Sequence, residues 1–387
     1  MDVAENRQSL FLSSSLLRIW SRTEYLLLII VSLYVGSAWL ITRSYGHPGA
    51  FHGLLYVPVP ELAFVVILIT YLVTRILWIM IWWHPYYLVR TLLNDFSQTL
   101  FNPQRLLTAL PLAAMFFVFF GAFSSMKSMI PIIHPFAWDH TFAELDKLLH
   151  GGVHPWQLLH GLLGYPWITT VVNFFYNFWF FLLIFIFFWQ AFTSHFPRLR
   201  LQFLLSFFLS WIVIGHISAT FFSSAGPCYY GAIIREGQEN PYTDLLTYLQ
   251  QANEVSPVWV LDTQATLWHS YEENKLMPGS GISAMPSMHV AMAALFAFLA
   301  FQLGKPHNFL FTMYLIMIVL GSVHLAWHYA VDAYVAILLT YGIWRFSGLV
   351  VRRLEATGDA SSKPNTGVNI QNSIPAVRNV FLSSGTR

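Results

Sequence analysis

Eight apolar stretches, each close to the length a helix needs to cross a bilayer, recur along the chain, and no other feature restricts its fold as severely. They lie near 25–43, 61–83, 106–126, 167–192, 202–223, 286–303, 308–327 and 329–349. In hydrocarbon a lone segment satisfies its backbone polar groups only as a helix, so the stretches predict an all-α, polytopic membrane protein with about eight transmembrane helices. Composition agrees: with 56% hydrophobic and 10% charged residues among 387, there is too little polar side chain to clothe a soluble globule. The formal net charge is +2, and no Lys/Arg run resembles a phosphate-tracking arm, so nucleic acid is excluded as an expected partner. A single cysteine, Cys228, leaves the external loops to be held by packing and hydrogen bonds. The first stretch follows basic residues but is too long for a signal-peptide core, and no small-x-small site follows it, so it reads as a retained helix.

Basic residues set the expected orientation. Arg7, Arg18, Arg22, Arg90, Arg105, Arg198, Arg200, Lys305, Arg352 and Arg353 all fall on one side of an eight-span arrangement, which assigns that side and both termini to the cytoplasm. The long loop at 225–285 has an acidic excess and falls on the opposite face. Three segments read as something other than spans. Residues 84–96 form an expected amphipathic helix on the inner surface. Asp139 to Gly152 form a short external interfacial helix, with Phe142, Leu145, Leu148 and Leu149 at helical spacing and the glycine pair as its stop. From about Ala356 the tail is rich in Ser, Asn, Gly and Thr and reads as disordered. The expected organisation is an N-terminal unit over 1–105 with two spans and the interfacial helix, six helices over 106–350, and a tail over 351–387.

Two short motifs carry chemistry, and both fall on the expected outer face. In HYAVD, His328 and Asp332 are four apart, so on a helix the carboxylate can take the Nδ1 proton and leave Nε2 as a nucleophile. A buried pair that merely satisfies itself has the same spacing, although ionisable groups at the end of a spanning helix are functional candidates by default. In SAMPSMH, Pro286 suits a first helical turn, and Ser287, Met288 and His289 present backbone N–H groups that favour an anion such as phosphate. His289 sits at the same level as a candidate proton donor to a departing oxygen; the alternative is a plain helix cap beside an interfacial histidine. His324, His328 and Asp332 recur every four residues, and with His289 they offer a metal site as a further alternative.

The two motifs together, by order, spacing and common face, resemble the type-2 phosphatidic acid phosphatase superfamily, whose second motif reads P-S-x-H and whose third ends in H-x-x-x-D. Here these are Pro286 to His289 and His328 to Asp332. The wording is most similar to the branch that contains inositol phosphorylceramide synthase, and the resemblance covers about 106–349. It implies that the last six helices form the catalytic bundle, that His328 forms a phosphohistidine, that Asp332 orients it, that His289 is the general acid, and that Ser287 helps hold the phosphoryl oxygens. It requires no metal and no cofactor. The superfamily's first motif, K-x6-R-P, is not matched, and the Arg of its third motif, S-R-x5-H, falls on Ser322.

Lys127, Arg235 and Lys275 are the remaining cations on the outer face. Each reads as a solvated loop charge; Lys275, just before SAMPSMH, is the one assigned to the phosphate, with Ser287, Met288 and His324 as further substrate-binding candidates. Arg75 falls inside the second span, on the wrong half for an outward phosphate. The stretch Ser224 to Gly231 reads either as pocket lining or as a re-entrant turn, and His216 and Tyr176 as pocket or satisfied core residues. The expected enzyme transfers a phospho-headgroup from a membrane phospholipid or lipid phosphate to a lipid hydroxyl or to water at the non-cytoplasmic face. The alternatives are a lipid phosphate or polyprenyl diphosphate phosphatase and, from another class, a proton-coupled transporter or lipid binder.

Overall fold

The computed structural model describes residues 20–56, 103–193, 195–234 and 239–361, together with positions 76, 80 and 89–92. All regular structure among them is helical. In chain order, α1 is Arg22–Ser44, α2 Pro103–Ile133, α3 Asp139–Leu149, α4 Pro155–Leu163 and α5 Pro166–Phe192. Helix α6 is Pro197–Ile212 and runs on through a π-helical stretch, Val213–Ser218, to Phe221. Then come α7 Thr243–Val255, α8 Val260–Glu272, α9 Met288–Leu303, α10 Lys305–His324 and α11 Ala330–Ser361. Six of these, α1, α2, α5, α6, α10 and α11, are long and apolar enough to cross a bilayer, and the chain is an integral, multi-pass membrane protein. The expected second span at 61–83, Arg75 and the 84–96 helix lie largely outside the described residues, as do Arg7, Arg18 and the tail beyond Ser361. Helix α11 continues to Ser361, past the point where disorder was expected.

Helix α9 is the exception in length. At 16 residues it rises ~24 Å, short of the ~30 Å hydrocarbon layer. It needs no lipid-matching length because the protein surrounds it: Val290 to Ala297, Leu299 and Ala300 are all buried. Alanines at 291, 293, 294, 297 and 300 let α10, α11 and α6 approach it closely, the small-residue packing that membrane bundles use in place of a hydrophobic driving force. The aromatic runs of α2, α5 and α6 fill the rest of the core through interlocked rings, among them Phe116 with Phe187 at 4.6 Å and Phe120 with Trp211 at 4.8 Å between centroids.

One polar lock holds the end of the bundle where α1 and α6 begin. Arg200, expected as a loop charge, lies buried in the first turn of α6. Its Nη1 pairs with Glu24 Oε1 at 2.8 Å, and its other nitrogens donate to the Gln190 and Ala191 carbonyls that end α5. Glu24 is itself fixed by a capping box with Ser21. Removing one member of such a buried pair strands the other charge, at a cost of about 3–5 kcal/mol. Glu24→Leu therefore lowers the thermal unfolding temperature of the detergent-solubilised protein markedly, while the fraction that stays folded keeps its activity, because the lock is at the far end of α6 from the histidines.

Candidate active site

The chain between α10 and α11, Leu325 to Tyr329, is a tight turn that places His328 just ahead of α11 instead of on it. Every hydrogen bond that shapes the turn can be traced. The Ser322 carbonyl accepts from both Trp327 N–H and His328 N–H at 3.0 Å. Ala326 adopts a left-handed conformation (φ 58°), and its carbonyl accepts from Cys228 N–H at 2.9 Å. The Leu325 carbonyl accepts from Gln264 Nε2 of α8 at 3.0 Å.

His328 and Asp332 meet through helix capping. Asp332, in the first turn of α11, reaches back so that its Oδ2 accepts Tyr329 N–H at 3.1 Å and His328 Nδ1–H at 3.2 Å. The shorter bond from Nδ1 goes to the Ala284 carbonyl, 2.8 Å away. A carbonyl only accepts, so Nδ1 carries the proton and Nε2 is left with its lone pair and no protein partner. His328 is 6% exposed, and burial holds its imidazole well below the usual value, at about 3, so the ring is neutral. The orienting group is thus a carbonyl as well as the expected carboxylate.

The second motif converges on the first. Ser287 is the N-cap of α9: its Oγ accepts Val290 N–H at 3.4 Å, and its own N–H points to the Asp332 carbonyl at 3.5 Å. The N–H groups of Met288 and His289 have no hydrogen bond among the described residues, so the open donors of this helix N-terminus are two, without Ser287. At α11 the corresponding donors are taken, Tyr329 by Asp332 and Ala330 and Val331 by Asp146. Of the two helices that carry the motifs, only α9 keeps open N–H groups in its first turn, the arrangement that favours an anion. The His289 and His328 rings are 6.2 Å apart between centroids. His289 lies against two rings of α5, Tyr176 at 4.4 Å and Trp179 at 4.2 Å, and Trp179 Nε1 donates to its carbonyl. Tyr176 is therefore a wall of the site. In α6 the π-helical stretch brings Gly215 so close to Met288 that a Cβ there would sit 3.0 Å from Sδ, while His216 turns toward Tyr34.

The expected cation is displaced. Lys275 pairs with Glu273 at the surface and lines a cavity of about 490 Å³ whose walls include neither histidine. Lys127, near the end of α2, is instead the lysine coupled electrostatically to both His289 and His328. Its Nζ has no hydrogen bond or ion pair among the described residues, and Gly281 packs so tightly on Lys127 that a Cβ would lie 2.8 Å from its backbone carbon. In the sequence, Lys127 to Pro135 reads K-x6-H-P, which differs at one named position, His134, from the K-x6-R-P sought. Arg235 lies outside the described residues. His324 also departs from expectation. It is fully buried with Nε2 on Thr169 Oγ1 at 2.9 Å, held away from His328 by the turn that breaks the four-residue periodicity. The same break removes the His324–His328–Asp332 metal alternative, and among the described residues no three His, Cys, Asp or Glu side chains are grouped to hold an ion.

The stretch Ser224 to Gly231, read from the sequence as pocket lining or a re-entrant turn, packs against the His328 turn. Gly226 has φ 102°, and a Cβ there would lie 2.7 Å from the Trp327 carbonyl oxygen. Gly226→Ala therefore meets both left-handed strain of about 1–3 kcal/mol and a collision with the residue before His328. Gly46, at φ 75° with open space around it, isolates the strain alone. Measured on purified protein, Gly226→Ala lowers both unfolding temperature and turnover, whereas Gly46→Ala costs some stability and leaves turnover near wild type.

The sequence pattern of the PAP2 superfamily, the type-2 phosphatidic acid phosphatase group, matches residues 140–346, just over half of the chain, from α3 into α11. No curated protein and no solved structure gives a significant match. The match takes in both histidine motifs and the short helices packed around them, and the chain belongs to the PAP2 superfamily, whose members are phosphatases and phosphotransferases.

Proposed function

We propose that this protein is a lipid phosphotransferase in which His328 Nε2 attacks the phosphorus of a membrane phospholipid. The observation that carries the reading is the geometry of His328: a neutral ring with its proton fixed on Nδ1 and a free Nε2, its centroid 6.2 Å from that of His289, which opens α9 beside two unbonded N–H groups. The Nε2–P bond forms as the P–O bond to the lipid alcohol breaks, and His289 gives its proton to that departing oxygen. A lipid hydroxyl then attacks phosphorus, the P–N bond breaks, and His289 takes the hydroxyl proton. Tyr176 and Trp179 stack against the His289 ring and hold it in place beside the nucleophile. Met288 N–H, His289 N–H and Lys127 face the charge that develops on the phosphoryl oxygens.

Two features favour transfer between lipids over hydrolysis. The histidines lie within an aromatic, largely buried site where water is scarce. The cation set is also thin, with Ser322 in place of the third-motif Arg and His134 in place of the first-motif Arg, which suits a phosphodiester better than a dianionic monoester. A donor and acceptor of the inositol phosphorylceramide synthase type fit both features, with the site on the non-cytoplasmic face.

The test is mass spectrometry of lipid products and free phosphate after purified protein meets phospholipids, polyprenyl diphosphates, ceramide and diacylglycerol in EDTA. A new phospholipid made by wild type and absent with His328→Ala supports transfer, and release of phosphate alone assigns hydrolysis. No His328-dependent product contradicts the reading and favours transport. In the same assay Lys127→Met lowers turnover roughly 10²–10³-fold, the range for losing one preorganised electrostatic donor. Lys275→Met leaves it within about threefold, as expected of an exposed rim charge.

A further inference from the structure

Helix α3, read from the sequence as an external interfacial helix, turns Leu148 and Leu149 outward at 76% and 56% exposed, while Asp139 and Asp146 on the same helix are buried at 4% and 2%. Two acidic side chains about two turns apart on one face is a costly choice for an external helix unless the carboxylates are put to use. Both are fully bonded. Asp146 accepts Ala330 N–H at 2.7 Å and Val331 N–H at 2.9 Å, capping α11 two residues after His328. Asp139 accepts Ala225 N–H at 2.9 Å, Gly226 N–H at 2.7 Å and the Tyr329 hydroxyl at 2.8 Å. Burial raises the proton affinity of both carboxyls, and the N–H donors oppose it.

The segment that Asp139 grips touches both histidine motifs. The Ser224 carbonyl accepts Ala284 N–H at 2.9 Å, and its Oγ accepts Met285 N–H at 3.1 Å, so it holds the segment leading to Ser287. Two and four residues on, Gly226 abuts the Trp327 carbonyl and Cys228 N–H binds that of Ala326, so the same segment holds the His328 turn. Ala284 in turn supplies the carbonyl that fixes the His328 tautomer. The two aspartates thus connect the backbone on either side of the nucleophile to a common external brace.

We infer that Asp139 and Asp146 are positioning residues for phosphoryl transfer: from one external helix they fix the backbone on both sides of His328, and so set the line of Nε2 against the phosphate-binding N–H groups of α9. The inference rests on the phosphohistidine reading. Because the aspartates act on alignment, they govern binding of a pentacoordinate, transition-state-like anion that must meet Nε2, more than binding of a tetrahedral anion that needs only the N–H groups and Lys127.

The test uses the full chain in detergent, with orthovanadate and inorganic phosphate as probes, read by calorimetric titration alongside thermal unfolding. Asp146→Asn replaces one acceptor with a donor facing an N–H; it is expected to weaken vanadate about tenfold or more while phosphate changes less than about threefold. Equal loss of both anions, or vanadate binding as tight as wild type in a folded variant, overturns the inference. Should Asp146→Asn not fold, Tyr329→Phe removes only the hydroxyl bond to Asp139 and keeps every backbone cap. It is expected to weaken vanadate selectively by about threefold, and wild-type vanadate affinity there overturns the proposal. Wild-type protein that binds vanadate no better than His328→Ala removes the phosphohistidine reading itself, and this inference with it.

Discussion

A single carboxylate oxygen, Oδ2 of Asp332, receives Tyr329 N–H, which starts α11, and His328 Nδ1–H, which orients the imidazole. Helix start and ring orientation are therefore one event. Moving the start of α11 by a residue would lose both bonds, so the turn before it must be rigid. That is why Ser322, Gln264 and Cys228 each supply a hydrogen bond to it. The other oxygen, Oδ1, is buried with no protein partner, a cost tolerated beside a reacting group more readily than elsewhere.

Depth in the bundle follows from length. Because α9 is too short to span the bilayer and is enclosed by protein, its N-terminus opens inside the bundle and not at its surface. Its two free N–H groups and its dipole then act in surroundings with little competing water, where each is worth more than at a solvated helix end. The π-helical stretch in α6 and Gly215 allow Met288 to fit at that depth.

Much of this was legible in the sequence, for physical reasons. Apolar length announces a spanning helix because the bilayer fixes the length required, and six of the eight expected stretches coincide with helices long and apolar enough to span, while a seventh, 286–303, coincides with the shorter α9. Paired motifs announce chemistry because capping and tautomer control fix the spacing of His328 and Asp332. What was not legible depends on contacts distant in sequence. Apolar periodicity in α3 marked an interfacial helix but not its buried carboxylates, Asp139 and Asp146, whose partners are backbone N–H groups at 225–226 and 330–331 that no local pattern records. Lys127 read as a loop charge because one residue, His134, interrupts the pattern that would have singled it out. Distance along the chain favoured Lys275, whereas folding pairs it with Glu273.

The most direct test of the account is to trap the covalent intermediate. Purified protein mixed with donor phospholipid, quenched in alkali to preserve phosphoramidates and mapped by peptide mass spectrometry, should carry the phospho-headgroup on the peptide containing His328. The adduct should vanish in His328→Ala and accumulate when no acceptor lipid is supplied. Turnover by wild type with an adduct on another residue, or with none under conditions where chemistry outpaces acceptor attack, contradicts the account.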